Sequence, residues 1–139
     1  MSATAFALLG YVSWTLLLVL VMESHRTVLV LSGRHAPDTF KPDGTDVSPF
    51  AHRLARAHAN CYEHFPVIGG LLLLALVTGH SVVTDGLALW LLAARVAQSA
   101  VHLAAAGPTA VQIRFSLFAI QLVIAAWWSL RLLAAFLTA

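Results

Sequence analysis

The residues best suited to chemistry are polar side chains that recur at helical spacing between positions 53 and 63. They are two arginines, an amide and a carboxylate: Arg53, Arg56, Asn60 and Glu63. Separations of three, four and three residues place all four on one stripe of one α-helix. The chain becomes strongly apolar immediately afterwards, from Val67 to Val77. Because ionisable groups are costly at membrane depth, this stripe indicates a binding site or a buried pair.

Two further polar stripes follow downstream. One contains Arg95, Gln98 and His102, and the other contains Arg114, Phe118 and Gln121, again at spacings of three and four residues.

The charge on these stripes is unbalanced. Their arginines, with Arg26 as a further candidate, face a single carboxylate, Glu63. A purely structural network would balance its signs, since an unpaired buried charge is strongly destabilising. The excess therefore predicts an anionic ligand, and guanidinium groups bind carboxylates with two parallel hydrogen bonds. A small zwitterion with excess carboxylate and a phospholipid headgroup both satisfy this pattern.

Several side chains have two interpretations. Arg26 could pair with Glu23 one turn away or point inward. Arg95 could contact a ligand or pair with Glu63 of a neighbouring helix. His102 could act as a base or only pack between helices. The single cysteine, Cys61, lies off the stripe, which favours a small packing residue over a nucleophile.

Composition identifies an integral membrane protein. The 139 residues are 60% hydrophobic and 10% charged, with a mean hydropathy of +0.84, whereas soluble domains carry about 25% charged residues. The net charge of +2 and the dispersed arginines exclude a nucleic-acid partner. One cysteine excludes an intramolecular disulfide, and the seven histidines match no zinc motif, so no metal is expected.

Hydropathy predicts an all-α protein, a four-helix bundle that spans the membrane as a single domain, 1–139. The expected spans are roughly 5–31, 49–79, 87–105 and 109–137.

Local signals refine the ends of these spans. Ser48-Pro49 reads as the start of the second helix, and Pro66 predicts a kink within it. A turn from His80 to Gly86 would be followed by the third helix, with Thr84 or Asp85 as its cap. Trp127 and Trp128 suit the membrane interface.

Basic residues predict the orientation. Four of them, Arg34, Lys41, Arg53 and Arg56, lie in or beside the first loop, and Arg114 lies close to the third. The positive-inside rule therefore places the first and third loops in the cytoplasm. The alanine, arginine and leucine bias is compatible with a bacterial inner membrane.

The segment Arg56-Ala57-His58-Ala59-Asn60-Cys61-Tyr62-Glu63-His64-Phe65-Pro66 resembles the R-A-x-x-N-x-x-E-x-x-P signature of the MAPEG family. These are membrane-associated proteins of eicosanoid and glutathione metabolism, and they include leukotriene-C synthase and microsomal glutathione transferase. The resemblance extends to chain length, the four spans, the Ala94-Arg95 pair and the Arg114 region of the fourth helix.

The resemblance implies a homotrimer that binds glutathione between adjacent subunits, in contact with membrane lipid. Arg56, Asn60 and Glu63 then resemble glutathione-binding positions, and Arg53 is an addition to them. The resemblance also implies that Arg114 stabilises the glutathione thiolate.

The third-helix residues Arg95, Gln98 and His102 are further candidates for glutathione binding. The chain departs from the family at Gln98 and His102, where members often carry tyrosine or histidine, and at Phe118, where they commonly carry tyrosine. Gln98 and His102 can still form hydrogen bonds, but Phe118 cannot.

Two classes of function follow from this comparison. One is a glutathione transferase or peroxidase that acts on a lipophilic small molecule, by adding the thiolate to an electrophile or by reducing a lipid hydroperoxide. The alternative is a non-catalytic trimer that binds lipid or glutathione.

Overall fold

A computed structural model describes residues 2–138 and shows an all-helical chain. The four helices are α1 (Ala3–Leu31), α2 (Pro49–Val77), α3 (Ser81–Ala104) and α4 (Pro108–Leu137). Each helix is long and apolar enough to cross a membrane, which confirms the prediction of four spans. Met1 and Ala139, the ends of the predicted domain 1–139, lie outside the described residues.

The helices alternate in direction, and this decides which connecting segments lie at the same end of the bundle. The first loop and the α3–α4 turn share one end, and the α2–α3 turn lies at the other. Within residues 2–138, α1 packs on α2 and α3, and α4 packs mainly on α3, while α1 and α4 do not touch. Tyr11, Leu54, Ile68, Leu91 and Trp128 form much of the buried core.

The start of α2 agrees with the sequence signals. The Ser48 hydroxyl accepts a hydrogen bond from the Ala51 amide at 3.0 Å, and Pro49 occupies the first turn. This serine satisfies one of the amide groups that a helix start leaves free. The helix then continues without interruption through Pro66 to Val77.

The predicted start of α3 was wrong. The helix begins at Ser81 rather than near residue 87, and the expected caps Thr84 and Asp85 lie within its first turns. The Asp85 carboxylate instead accepts hydrogen bonds from the Thr4 amide at 2.8 Å and the Thr4 hydroxyl at 2.6 Å. Asp85 therefore caps the start of α1, a tertiary partner that local sequence cannot show.

The predicted interfacial position of Trp128 was also wrong. Trp128 is fully buried in the core, whereas Trp127 is exposed and lies 5.4 Å from the Arg131 guanidinium. Successive helical residues point about 100° apart, and this rotation turns Trp128 into the core while Trp127 faces outward.

The first loop is anchored to the ends of α1 and α2. Glu23 and Arg26 form an ion pair of 3.1 Å, which is the local pairing among the two alternatives for Arg26. The ring of His52 hydrogen-bonds the Asp43 carbonyl at 2.8 Å. Gly44 has a φ of +68°, and a Cβ there would lie 2.9 Å from the Ala51 backbone, so only glycine fits.

Candidate functional site

A basic pocket lies between α2, α3 and α4 at the end of the bundle that holds the first loop. Its volume is about 300 Å³. It is lined by His52, Arg53, Arg56, His102, Ala105, Ala106, Gly107 and Arg114. Four of the eight predicted site residues therefore share one cavity, and within residues 2–138 no carboxylate lines it.

Arg53 joins α2 to the end of α3. Its Nε donates a hydrogen bond to the Leu103 carbonyl at 3.0 Å. The last carbonyls of a helix lack partners within the helix and carry partial negative charge, so a guanidinium is stabilising there. This contact holds the first turns of α2 beside the α3–α4 turn and thereby shapes the pocket.

His102 and Arg114 face each other across the α3–α4 turn. Arg114 Nη1 lies 3.1 Å from His102 Nδ1. Both side chains are half-buried. Only three residues separate α3 from α4, so the last turn of one helix meets the first turns of the other. The sequence placed these residues on separate stripes, and the short turn brings them together.

Arg95 lies deeper in the bundle and does not line the basic pocket. It is fully buried, and its Nη1 donates hydrogen bonds to the backbone and side-chain oxygens of Asn60. Its guanidinium also lies 5.4 Å from the Tyr11 ring. Within this chain Arg95 therefore contacts Asn60 rather than Glu63. From the interior of the bundle it fixes the orientation of the Asn60 amide.

Glu63 faces a second pocket, between α1, α2 and the first loop. This α1–α2 pocket has a volume of about 430 Å³ and also includes Arg26, Asp43, Arg56 and Tyr62 in its lining. Hydrogen bonds from Thr45 hold the pKa of the Asp43 carboxyl below its usual value. Arg56 lines both this pocket and the basic pocket.

The predicted stripe on α2 therefore divides. At about 100° per residue, Arg56 and Glu63 fall about 60° to 80° around the helix from Arg53, while Asn60 falls only about 20° away. The structure accordingly directs Asn60 towards α3 and leaves Arg56 and Glu63 exposed on the α1 side.

Gln98 lies inside the bundle. It is buried, and its side-chain oxygen accepts a hydrogen bond from Gln121 Nε2 at 2.9 Å. The two amides join α3 to α4 in the apolar interior, where an unpaired polar group would be costly. Gln98 is not brought to either pocket.

His64 and His52 are site neighbours that the sequence analysis did not single out. His64 Nδ1 lies 2.8 Å from the Asn60 carbonyl, and its ring packs edge-on against Phe118 at 4.6 Å. His52 lines the basic pocket beside Arg53. Their spacing from Asn60 and Arg56, four residues in each case, was the available signal.

The arginines of the site have no anionic partner within the described chain. Among residues 2–138 the ion pairs are Glu23–Arg26 and His35–Asp46, and neither includes an arginine of the basic pocket. Such a set of donors is suited to binding an anion with several oxygens.

Comparison with known proteins gives one family. The MAPEG family model matches residues 2–134. No curated protein and no solved structure matches the chain. With almost its whole length matched and four helices able to cross a membrane, the chain belongs to the MAPEG family, and it is an integral multi-pass membrane protein related to glutathione and eicosanoid metabolism.

Proposed function

We propose that this protein is a glutathione-dependent membrane enzyme that acts as a homotrimer. It adds the glutathione thiolate to a lipophilic electrophile or uses it to reduce a lipid hydroperoxide. The observation that carries the proposal is the basic pocket, which gathers Arg53, Arg56 and Arg114 with no carboxylate among the described residues that line it. Glutathione supplies the thiol nucleophile and the two carboxylates that would balance this charge.

The residues present fit the charges of glutathione. Arg53 and Arg56 would bind carboxylate oxygens through charge-assisted hydrogen bonds. Glu63, which shares the α1–α2 pocket with Arg56, would accept from an ammonium group. Asn60 would contribute an amide whose orientation Arg95 fixes. Because Gln98 is buried against Gln121, its contribution is to the shape of the site.

Arg114 is the proposed catalytic residue. A guanidinium beside a thiol favours the thiolate, which is the nucleophilic form. Arg114 is half-buried between α3 and α4, so its charge is less screened than it would be in water. Holding the nucleophile close to its substrate adds a proximity effect.

An apolar groove between α1 and α2 supports a lipophilic substrate. It has a volume of about 350 Å³ and includes Val12, Leu16 and Phe65. His58 and Tyr62 line both this groove and the α1–α2 pocket, so the two are adjacent. A substrate with an apolar body could therefore reach the polar end of the site from the lipid side.

The alternative function is a non-catalytic trimer that binds lipid or glutathione. Phe118 favours it, because this side chain packs against His64 and offers no hydroxyl group one turn below Arg114. In either case we propose a single domain over residues 1–139 and a bacterial inner membrane, with the first and third loops in the cytoplasm.

An activity comparison separates the two functions. Purified wild-type protein should conjugate glutathione to a lipophilic electrophile or reduce a lipid hydroperoxide. Arg114→Ala should lower turnover by about a hundredfold or more, as loss of a key charge-stabilising donor typically does. Arg131→Ala is the matched control, since Arg131 is exposed on the last turns of α4 beside Trp127.

The outcomes are distinct. Equal turnover in Arg114→Ala and wild type would remove Arg114 from the mechanism. Absence of turnover in the wild type together with tight glutathione binding would favour the non-catalytic alternative.

A further inference from the structure

The contact between His102 and Arg114 indicates which ring nitrogen of His102 carries the proton. A guanidinium offers only hydrogen-bond donors, so at 3.1 Å from Arg114 Nη1 the Nδ1 atom of His102 must be the acceptor. An imidazole that accepts at Nδ1 is neutral and carries its proton on Nε2. His102 therefore accepts a hydrogen bond from Arg114 through the lone pair of Nδ1.

The surroundings of His102 make this contact unusual. The other charged side chains that line the same pocket are Arg53 and Arg56, and Arg95 lies two turns earlier on α3. All of these groups repel Arg114. Among the described residues, His102 is the one hydrogen-bond partner of the Arg114 side chain, and it accepts from Arg114.

We infer that His102 is a positioning residue, whose Nδ1 lone pair holds the Arg114 guanidinium in the basic pocket. The inference rests on the proposed function, since it assigns His102 to the orientation of Arg114 instead of to direct contact with glutathione. An arginine side chain has many rotamers, and it loses conformational entropy when a ligand holds it in one of them. If a neighbour already fixes that rotamer, ligand binding does not incur this loss. The neighbours of a binding residue commonly set its orientation in this way.

Two amide substitutions can separate positioning from direct binding. The side-chain oxygen of asparagine lies close to where histidine carries Nδ1, and the side-chain nitrogen of glutamine lies close to where it carries Nε2–H. His102→Asn therefore keeps the acceptor for Arg114. His102→Gln keeps the donor that would face a ligand. His102→Leu removes both.

The measurement is the ultraviolet absorbance of glutathione thiolate bound to each purified variant in detergent, over about pH 5 to 9. His102→Leu and His102→Gln should raise the pKa of the bound thiol by about 0.7, since loss of one hydrogen bond changes its ionisation constant about fivefold. His102→Asn should remain close to wild type. Glutathione affinity should change less than the thiolate fraction, because Arg53 and Arg56 remain.

Three results would overturn the inference. If His102→Gln retains the thiolate and His102→Asn loses it, the histidine acts through Nε2–H on the ligand. If all three variants equal wild type, the contact has no role at the site. Wild-type protein that binds no glutathione would refute the proposed function and this inference together. Should His102→Leu fail to fold, the comparison between asparagine and glutamine still decides the matter.

Discussion

At the scale of single residues, Arg56 joins the two polar pockets of this protein. It lines the basic pocket with Arg53 and Arg114, and it lines the α1–α2 pocket with Glu63. Its exposed side chain has no ion-pair partner among residues 2–138. A ligand that extends from one pocket to the other would therefore meet Arg56 in the middle.

Arg56→Ala should weaken glutathione binding about tenfold or more, because a hydrogen bond between two charged groups is lost. Arg34→Ala is the control, since Arg34 is exposed in the first loop and lines neither pocket. Isothermal titration calorimetry in detergent would measure both affinities. Unchanged affinity in Arg56→Ala would show that the ligand does not reach between the pockets.

At the scale of helices, the two ends of the bundle have different roles. The end with the first loop carries the arginines, whereas the opposite end is held by Asp85, which accepts hydrogen bonds from Thr4 across the α1–α3 contact. Thr84 adds a hydroxyl contact with Thr4 at 2.7 Å. The contacts among Thr4, Thr84 and Asp85 therefore stabilise the fold, at the end of the bundle opposite the basic pocket.

Asp85→Ala should destabilise the protein by about 1–3 kcal/mol, because the Thr4 amide and hydroxyl lose their shared acceptor. Thermal unfolding followed by circular dichroism would show a lower midpoint, with Asp38→Ala, in the exposed first loop, as the control. Glutathione affinity should be unchanged in both variants. A large loss of affinity in Asp85→Ala would contradict the separation of the two ends.

The same helices show what the sequence could and could not predict. Hydropathy and the Ser48-Pro49 signal located α2 well, because a cap and a proline act within a few residues. The start of α3 was missed because its N-cap residue, His80, makes no side-chain capping hydrogen bond. The expected cap Asp85 instead bonds to Thr4, 81 residues away in the chain.

The side chains of the site were predictable as a group but not as individuals. Helical spacing placed Arg53, Arg56 and Asn60 together, yet the rotation between successive positions sends them towards different neighbours. The contact between His102 and Arg114 depends on the geometry of the α3–α4 turn. Residue spacing within one helix carries no information about that turn.

At the scale of the whole molecule, broad apolar surfaces remain on the outside of the four helices. Exposed large side chains on α1 and α4 include Phe6, Leu9, Leu16, Val123 and Leu130. Lipid can cover such surfaces, and so can a second copy of the chain. The absence of contact between α1 and α4 within residues 2–138 leaves both helices available for neighbours.

Native mass spectrometry of the protein released from detergent should give a trimer of 14.9 kDa chains. The homotrimer is expected because the resemblance to the MAPEG family implies that glutathione binds between adjacent subunits. The Arg114→Ala variant should give the same assembly, which would show that its loss of activity is local. A monomer that still binds glutathione would contradict a site shared between subunits.

We propose above all that the basic pocket binds glutathione and stabilises its thiolate. The most direct measurement is titration of wild-type protein with glutathione in detergent, followed by the ultraviolet absorbance of the bound thiol as pH is varied. We expect saturable binding, with thiolate present well below the pKa of the free thiol. No binding at millimolar glutathione would contradict it, and attention would then turn to an anionic lipid as the ligand of these arginines.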